Sequence, residues 1–155
     1  MFEKILVCLD GSELAEQILP YVVEEALHFR SNLVLLQVVS THGTPTVVAA
    51  GASAYAVEAA AQQIEKDEAE AKVYLEKLAK PLRDSGINVQ CVTLRGLKIG
   101  EVIVGYANEN NISLIAIATH GRRGLERLFF GSVADFVLRE SGLPILLVKP
   151  KKSGS

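Results

Sequence analysis

Apolar runs alternate with helical periodicities from one end of the chain to the other. Lys4–Leu9 (KILVCL) is a continuous, β-branched run that stops abruptly at Asp10-Gly11, the pattern of a strand buried on both faces. Over Glu13–Phe29 the apolar residues Ile18, Leu19, Val22, Val23, Ala26 and Leu27 share one helical face. Ser12 is a natural N-cap for that helix, and Pro20 should kink it. Asn32–Ser40 reads as the second strand.

Residues 41–54 are small, rich in Gly, Ala and Thr, and lack a sustained period, which predicts a mobile loop. From Ala56 to Asp84 the positions Val57, Ala61, Ile64, Ala71, Leu75, Leu78 and Leu82 recur at three- and four-residue steps. They predict a long helix with a core-facing stripe, closed by Ser85-Gly86. Ile87–Leu94 is then a strand, Glu101–Glu109 a short helix with Val102, Ile103 and Tyr106 inward, and Ser113–Ala118 a fourth strand. Ser132–Glu140 is a helix with Val133, Val137 and Leu138 apolar, and it stops at Gly142. Leu143–Lys149 is the last strand, and residues 151–155 form a disordered polar tail beyond a single domain over 1–150.

Five strands alternating with helices imply one doubly wound, parallel α/β sheet with right-handed crossovers and helices on both faces. Ligands of such sheets sit at the carboxyl ends of the strands, at the topological switch point. Asp10-Gly11-Ser12 and His120-Gly121 each follow a strand directly, so they should meet on one edge. The second of these opens a stretch, ATHGRRGLERLFFGS from Ala118 to Ser132, that has the features of a phosphate-holding loop. A strand ends at a glycine, Arg122, Arg123 and Arg127 follow, and a helix begins at Gly131-Ser132. Glycine lets backbone approach an anion, and the first amides of a helix lack internal partners and carry partial positive charge.

Charge removes one class of partner. With 16 Lys+Arg against 18 Asp+Glu the net charge is −2, so no broad basic field exists to hold DNA or RNA. The apolar runs are strand-sized, too short to cross a bilayer, and no targeting signal opens the chain, so no membrane partner is expected and a cytoplasmic location is. Cys8 and Cys91 lie in strand runs without metal-ligand spacing, which points to reduced, packed thiols.

On these residues the chain resembles the universal stress protein family over essentially its whole length. The likeness runs through Lys4–Glu13, resumes at Leu114–Ser132 and ends with Leu143–Pro150. The ATP-binding branch of that family carries Gly-x2-Gly-x9-Gly-Ser/Thr. Gly121, Gly131 and Ser132 match its later positions, and Ala118 stands where its first glycine would be. The resemblance implies a Rossmann-like sheet of the adenine nucleotide alpha hydrolase type, with strand order 3-2-1-4-5. It also implies ATP, with Mg²⁺ across the phosphates, and a homodimer formed through Leu143–Lys149. By the same resemblance Leu9 and Asp10 line the ribose and adenine, Val38 meets the base, and Gly121, Gly131, Ser132 and Val133 hold phosphate. A carboxylate at position 10 suits the ribose because it accepts two hydroxyl donors at once.

Ala118, His120 and Arg122 complete the candidate nucleotide-binding set, the last two with a plainer reading beside them. Surface arginines are usually solvated, and His120 has no carboxylate or nucleophile flanking it in sequence, so a loop histidine bonded to backbone suffices. The charges of Glu65–Lys72 read as a solvated helix face. Hydrolysis is expected to be slow at most, since no Walker-type lysine, paired acidic metal ligands or water-positioning residue is identifiable, and no catalytic residue is assigned. Two other functions compete: a nucleotide-free dimeric adaptor, which Ala118 would permit, and an adenylyl-transferring enzyme. The second lacks its His-x-Gly-His or Ser-Gly-Gly-x-Asp-Ser signature here.

Overall fold

A computed structural model describes residues 1–42, 51, 53–119 and 131–151. The expected mobile loop and polar tail fall mostly outside these residues. The elements are β1 (Lys4–Leu9), α1 (Glu13–Glu16), α2 (Leu19–Phe29), β2 (Asn32–Ser40), α3 (Ala54–Asp84), β3 (Val89–Gly96), α4 (Ile99–Glu109), β4 (Leu114–Ala118), α5 (Ser132–Glu140) and β5 (Ile145–Val148). All strand pairs are parallel, and the five strands lie in the order β3-β2-β1-β4-β5, as expected.

The alternation of side chains along β1 builds two cores. Ile5, Val7 and Leu9 face one side, where they pack with Val22 and Ala26 of α2 and Leu75 and Ala79 of α3. Leu6 and Cys8 face the other, under Ile103 and Ala107 of α4 and Ala134 and Val137 of α5. A strand covered on both faces must be apolar at every position, which is why KILVCL carries no alternation.

Three differences from the sequence expectation have identifiable causes. The first helix is not kinked but divided: it stops after Glu16 and restarts at Leu19, with Pro20 in the first turn of α2. Proline has no N–H to donate and its ring collides with the carbonyl four residues back, so a first turn is its comfortable place. β3 begins at Val89 rather than Ile87, because Ile87 belongs to the end of α3. Its N–H donates to the Leu82 carbonyl at 3.2 Å while that of Gly86, at φ +87°, donates to Arg83 at 2.9 Å. That double bond pattern is the glycine-terminated helix stop, completed by an apolar residue packing back on the helix. Finally, Leu138 is 47% exposed, and Ala134 joins Val137 as the buried face of α5.

The stripe on α3 is buried only in its second half, at Ala71, Leu75 and Ala79. Ahead of that, Glu68 ties the helix to the sheet edge through Arg95 of β3, with Lys72 as a second partner. Both cations hold the Glu68 carboxyl below its usual range, the Arg95 hydrogen bond foremost. Among the described residues no helix is long and apolar enough to cross a membrane.

Candidate functional site

The order β3-β2-β1-β4-β5 reverses direction between β1 and β4, which makes their carboxyl ends the switch point. Ile5, Leu6 and Val7 pair with Leu114, Ile115 and Ala116; the same register continued sets Leu9 level with Ala118. The turns that leave these two strands are therefore neighbours.

The turn after β1 is organised by Asp10. Its Oδ1 accepts hydrogen bonds from the Ser12 amide at 2.9 Å and the Ser12 hydroxyl at 2.6 Å. The Ser12 Oγ in turn accepts from the Ala15 amide at 3.1 Å and caps α1. Gly11, at φ +83°, supplies the left-handed step between them. The carboxylate thus both shapes the turn and stands half-buried at the sheet edge.

The turn after β4 is anchored just as tightly. The Thr119 amide donates to the Val148 carbonyl at 2.9 Å, and the Thr119 carbonyl accepts from the Gly131 amide at 2.6 Å. A Cβ on Gly131 would lie 2.5 Å from that same oxygen, so only glycine fits. Gly131 is the N-cap of α5 and contributes no side chain to it. The first intrahelical bond runs from the Asp135 amide to the Gly131 carbonyl at 2.9 Å, so the amides of Ser132, Val133 and Ala134 come before it. Amides in that position, at the positive end of the helix, are suited to an anion.

Next to this helix start lies a cleft of about 320 Å³, at the small end of ligand-sized cavities. Ser132, Val133 and Phe136 of α5 form one wall, and His42 with the Leu97–Glu101 segment forms the other. The Ser40 hydroxyl holds the His42 ring at 2.5 Å through Nδ1. Lys98 pairs with Glu101 at 2.9 Å, which keeps its ammonium protonated above its usual range. Neither Lys98 nor His42 stood out in the sequence. The available signal was the Gly96–Gly100 bracket, which marks a turn at the end of a strand and hence on the same edge.

The expected site residues are placed as follows. Asp10, Gly131, Ser132 and Val133 all stand at the switch-point edge. Leu9 is there too, but its side chain is 5% exposed and points into the core with α2 and α3, leaving only its backbone at the edge. Val38 faces the opposite core, beside Gly96 and Val102. Ala118 ends β4 opposite Val148 and is 9% exposed. His120, Gly121 and Arg122 lie outside the described residues, as do Arg123 and Arg127.

The thiols take no part in this site. Burial pushes the Cys8 thiol up to about 12. Burial, aided by Glu76, pushes Cys91 up to about 11, so both stay protonated at neutral pH. Among the described residues, no three His, Cys, Asp or Glu side chains gather as a metal site would need.

Comparison with known proteins agrees with this architecture. The sequence profile described as the universal stress protein family matches residues 1–149. Universal stress protein MJ0577 of Methanocaldococcus jannaschii is 29% identical over 160 residues, covering 99% of this chain and 98% of that protein. The solved structure of MJ0577 superposes with a TM-score of 0.84 at 30% identity, over 99% of both chains. A universal stress protein solved in complex with cAMP shares the fold at a TM-score of 0.64 and 17% identity, covering 96% of this chain and 97% of that one. An Arabidopsis thaliana family protein with AMP bound does so at 0.64 and 16%, covering 97% and 93%. From its first strand to the end of its last, the chain belongs to the universal stress protein family.

Proposed function

We propose that the protein is an adenine-nucleotide-binding regulator of the stress response. On this reading it holds ATP, with Mg²⁺ across the phosphates, and works as a homodimer. The observation that carries this reading is the start of α5. Its first three amides precede the first intrahelical bond, its cap has no side chain, and it starts on the same sheet edge as the Asp10 turn. Phosphate on Ser132 and Val133, ribose on Asp10 and base toward Val38 is the arrangement these positions favour. Proteins of the same fold that carry cAMP and AMP support an adenylate as the ligand class.

Thermal denaturation tests the reading. ATP with Mg²⁺ at a hundred times its Kd should add about 2.7 kcal/mol, at about 2–4 °C in Tm per kcal/mol for a chain of this size. An unchanged Tm at millimolar ATP would instead favour the nucleotide-free adaptor. Asp10→Asn is the sharper variant, because an amide oxygen can still accept from Ser12 and keep the turn. Losing the charged acceptor should weaken ATP about tenfold or more and leave inorganic triphosphate nearly unaffected. Equal losses for both would remove Asp10 from the ribose.

Dimerisation is assigned to β5. It pairs with β4 on one side only, and all four of its residues are half-buried. A sheet edge of this kind invites a second copy. Sedimentation velocity should return a dimer; a monomer at all concentrations tested would refute the assignment.

A further inference from the structure

The sequence offers no Walker-type lysine, yet the fold brings a lysine to the same cleft from another element. This inference rests on the nucleotide reading above. Lys98 ends the β3–α4 turn and is the N-cap of α4, with no side-chain cap bond. Its position is fixed by how α4 meets α5. A Cβ on Gly100 would lie 2.7 Å from the Phe136 ring, so the first turns of the two helices abut there. Lys98 precedes Gly100 by two residues, and Ser132 precedes Phe136 by about one helical turn. Both therefore flank that contact, and both line the cleft of about 320 Å³.

We propose that Lys98 is a phosphate-binding residue of this site. It rests on Glu101 when the cleft is empty and moves onto the outer phosphates of a nucleoside triphosphate seated on the α5 amides. The exchange is favourable. The Lys98–Glu101 pair is exposed, with side-chain accessibilities of 71% and 53%, and such pairs contribute little. A phosphate oxygen held against the α5 start carries more charge and forms a stronger charge-assisted bond. Glu101 is left solvated, so its release carries no burial penalty.

Titration calorimetry with MgATP, AMP and adenosine separates this role from a structural one. Lys98→Ala removes no cap bond, so its melting temperature should match the parent's. It should weaken MgATP about tenfold and change adenosine by less than about twofold, and the loss should shrink as salt rises. Lys98→Arg should restore most of the affinity, and Glu101→Gln should tighten MgATP by freeing the ammonium and removing a repulsive charge. Parent-like MgATP affinity in Lys98→Ala, or an equal loss for adenosine, would overturn the role of Lys98 and leave the α5 reading standing. Failure of the parent protein to bind any of the three would overturn both.

Discussion

Gly131→Val is expected to abolish ATP binding at millimolar nucleotide and, in addition, to lower the melting temperature. The first effect follows from what the backbone does at this point. Phosphate would approach the amides just after Gly131, and a branched side chain there stands in the way. The second follows from the 2.5 Å separation between any Cβ at this position and the Thr119 carbonyl. The structure says that the start of α5 must shift, at about 1–3 kcal/mol by analogy with overpacked interiors. Isothermal titration and thermal denaturation on the same preparation read the two effects separately. Retained ATP affinity would withdraw Gly131 from the site, whatever the melting temperature did.

Leu75→Ala should lower stability by about 2–5 kcal/mol while leaving nucleotide affinity close to the parent's. Leu75 is 0% exposed, in the buried half of α3 against the sheet, and packs in the core that Ile5, Val7 and Leu33 share. Removing its branched end leaves a cavity that surrounding strands, fixed by their hydrogen-bond ladders, cannot collapse to fill. The variant also serves as a control for Gly131→Val, since it destabilises the fold from the far side of the sheet. Urea denaturation gives the first quantity and calorimetry the second. A change below about 0.5 kcal/mol would mean that this face is not the packed core described here.

What was legible in the sequence was what depends on local pattern and on long-range alternation. Continuous apolar strands and a β-α order were enough for a parallel, doubly wound sheet, its order followed from the family resemblance, and glycines after strands pointed to the switch-point edge where Asp10 and Gly131 stand. The misplacements share a cause. Ile87 has the side chain of a strand residue but is spent on closing α3, and no periodicity reveals that its amide is already bonded to Leu82. Pro20 was expected to kink one helix, and the break after Glu16 shows that it opens a second helix instead. Ser12 was read as a cap, yet its hydroxyl also ties back to Asp10, a link between residues two apart that composition does not disclose. Lys98 and His42 were missed because nothing in their flanking residues says that α4 begins beside α5. That adjacency comes from Gly100 meeting Phe136, thirty-six positions on.

The bond between Thr119 and Gly131 has a consequence for how such a protein diversifies. It joins the end of β4 to the start of α5 directly, backbone to backbone. The number of residues between the two ends can therefore vary at little cost, since doubling a closed loop costs only about 0.6 kcal/mol. At the junction itself there is no such freedom, because one glycine serves both the fold and the approach of a ligand.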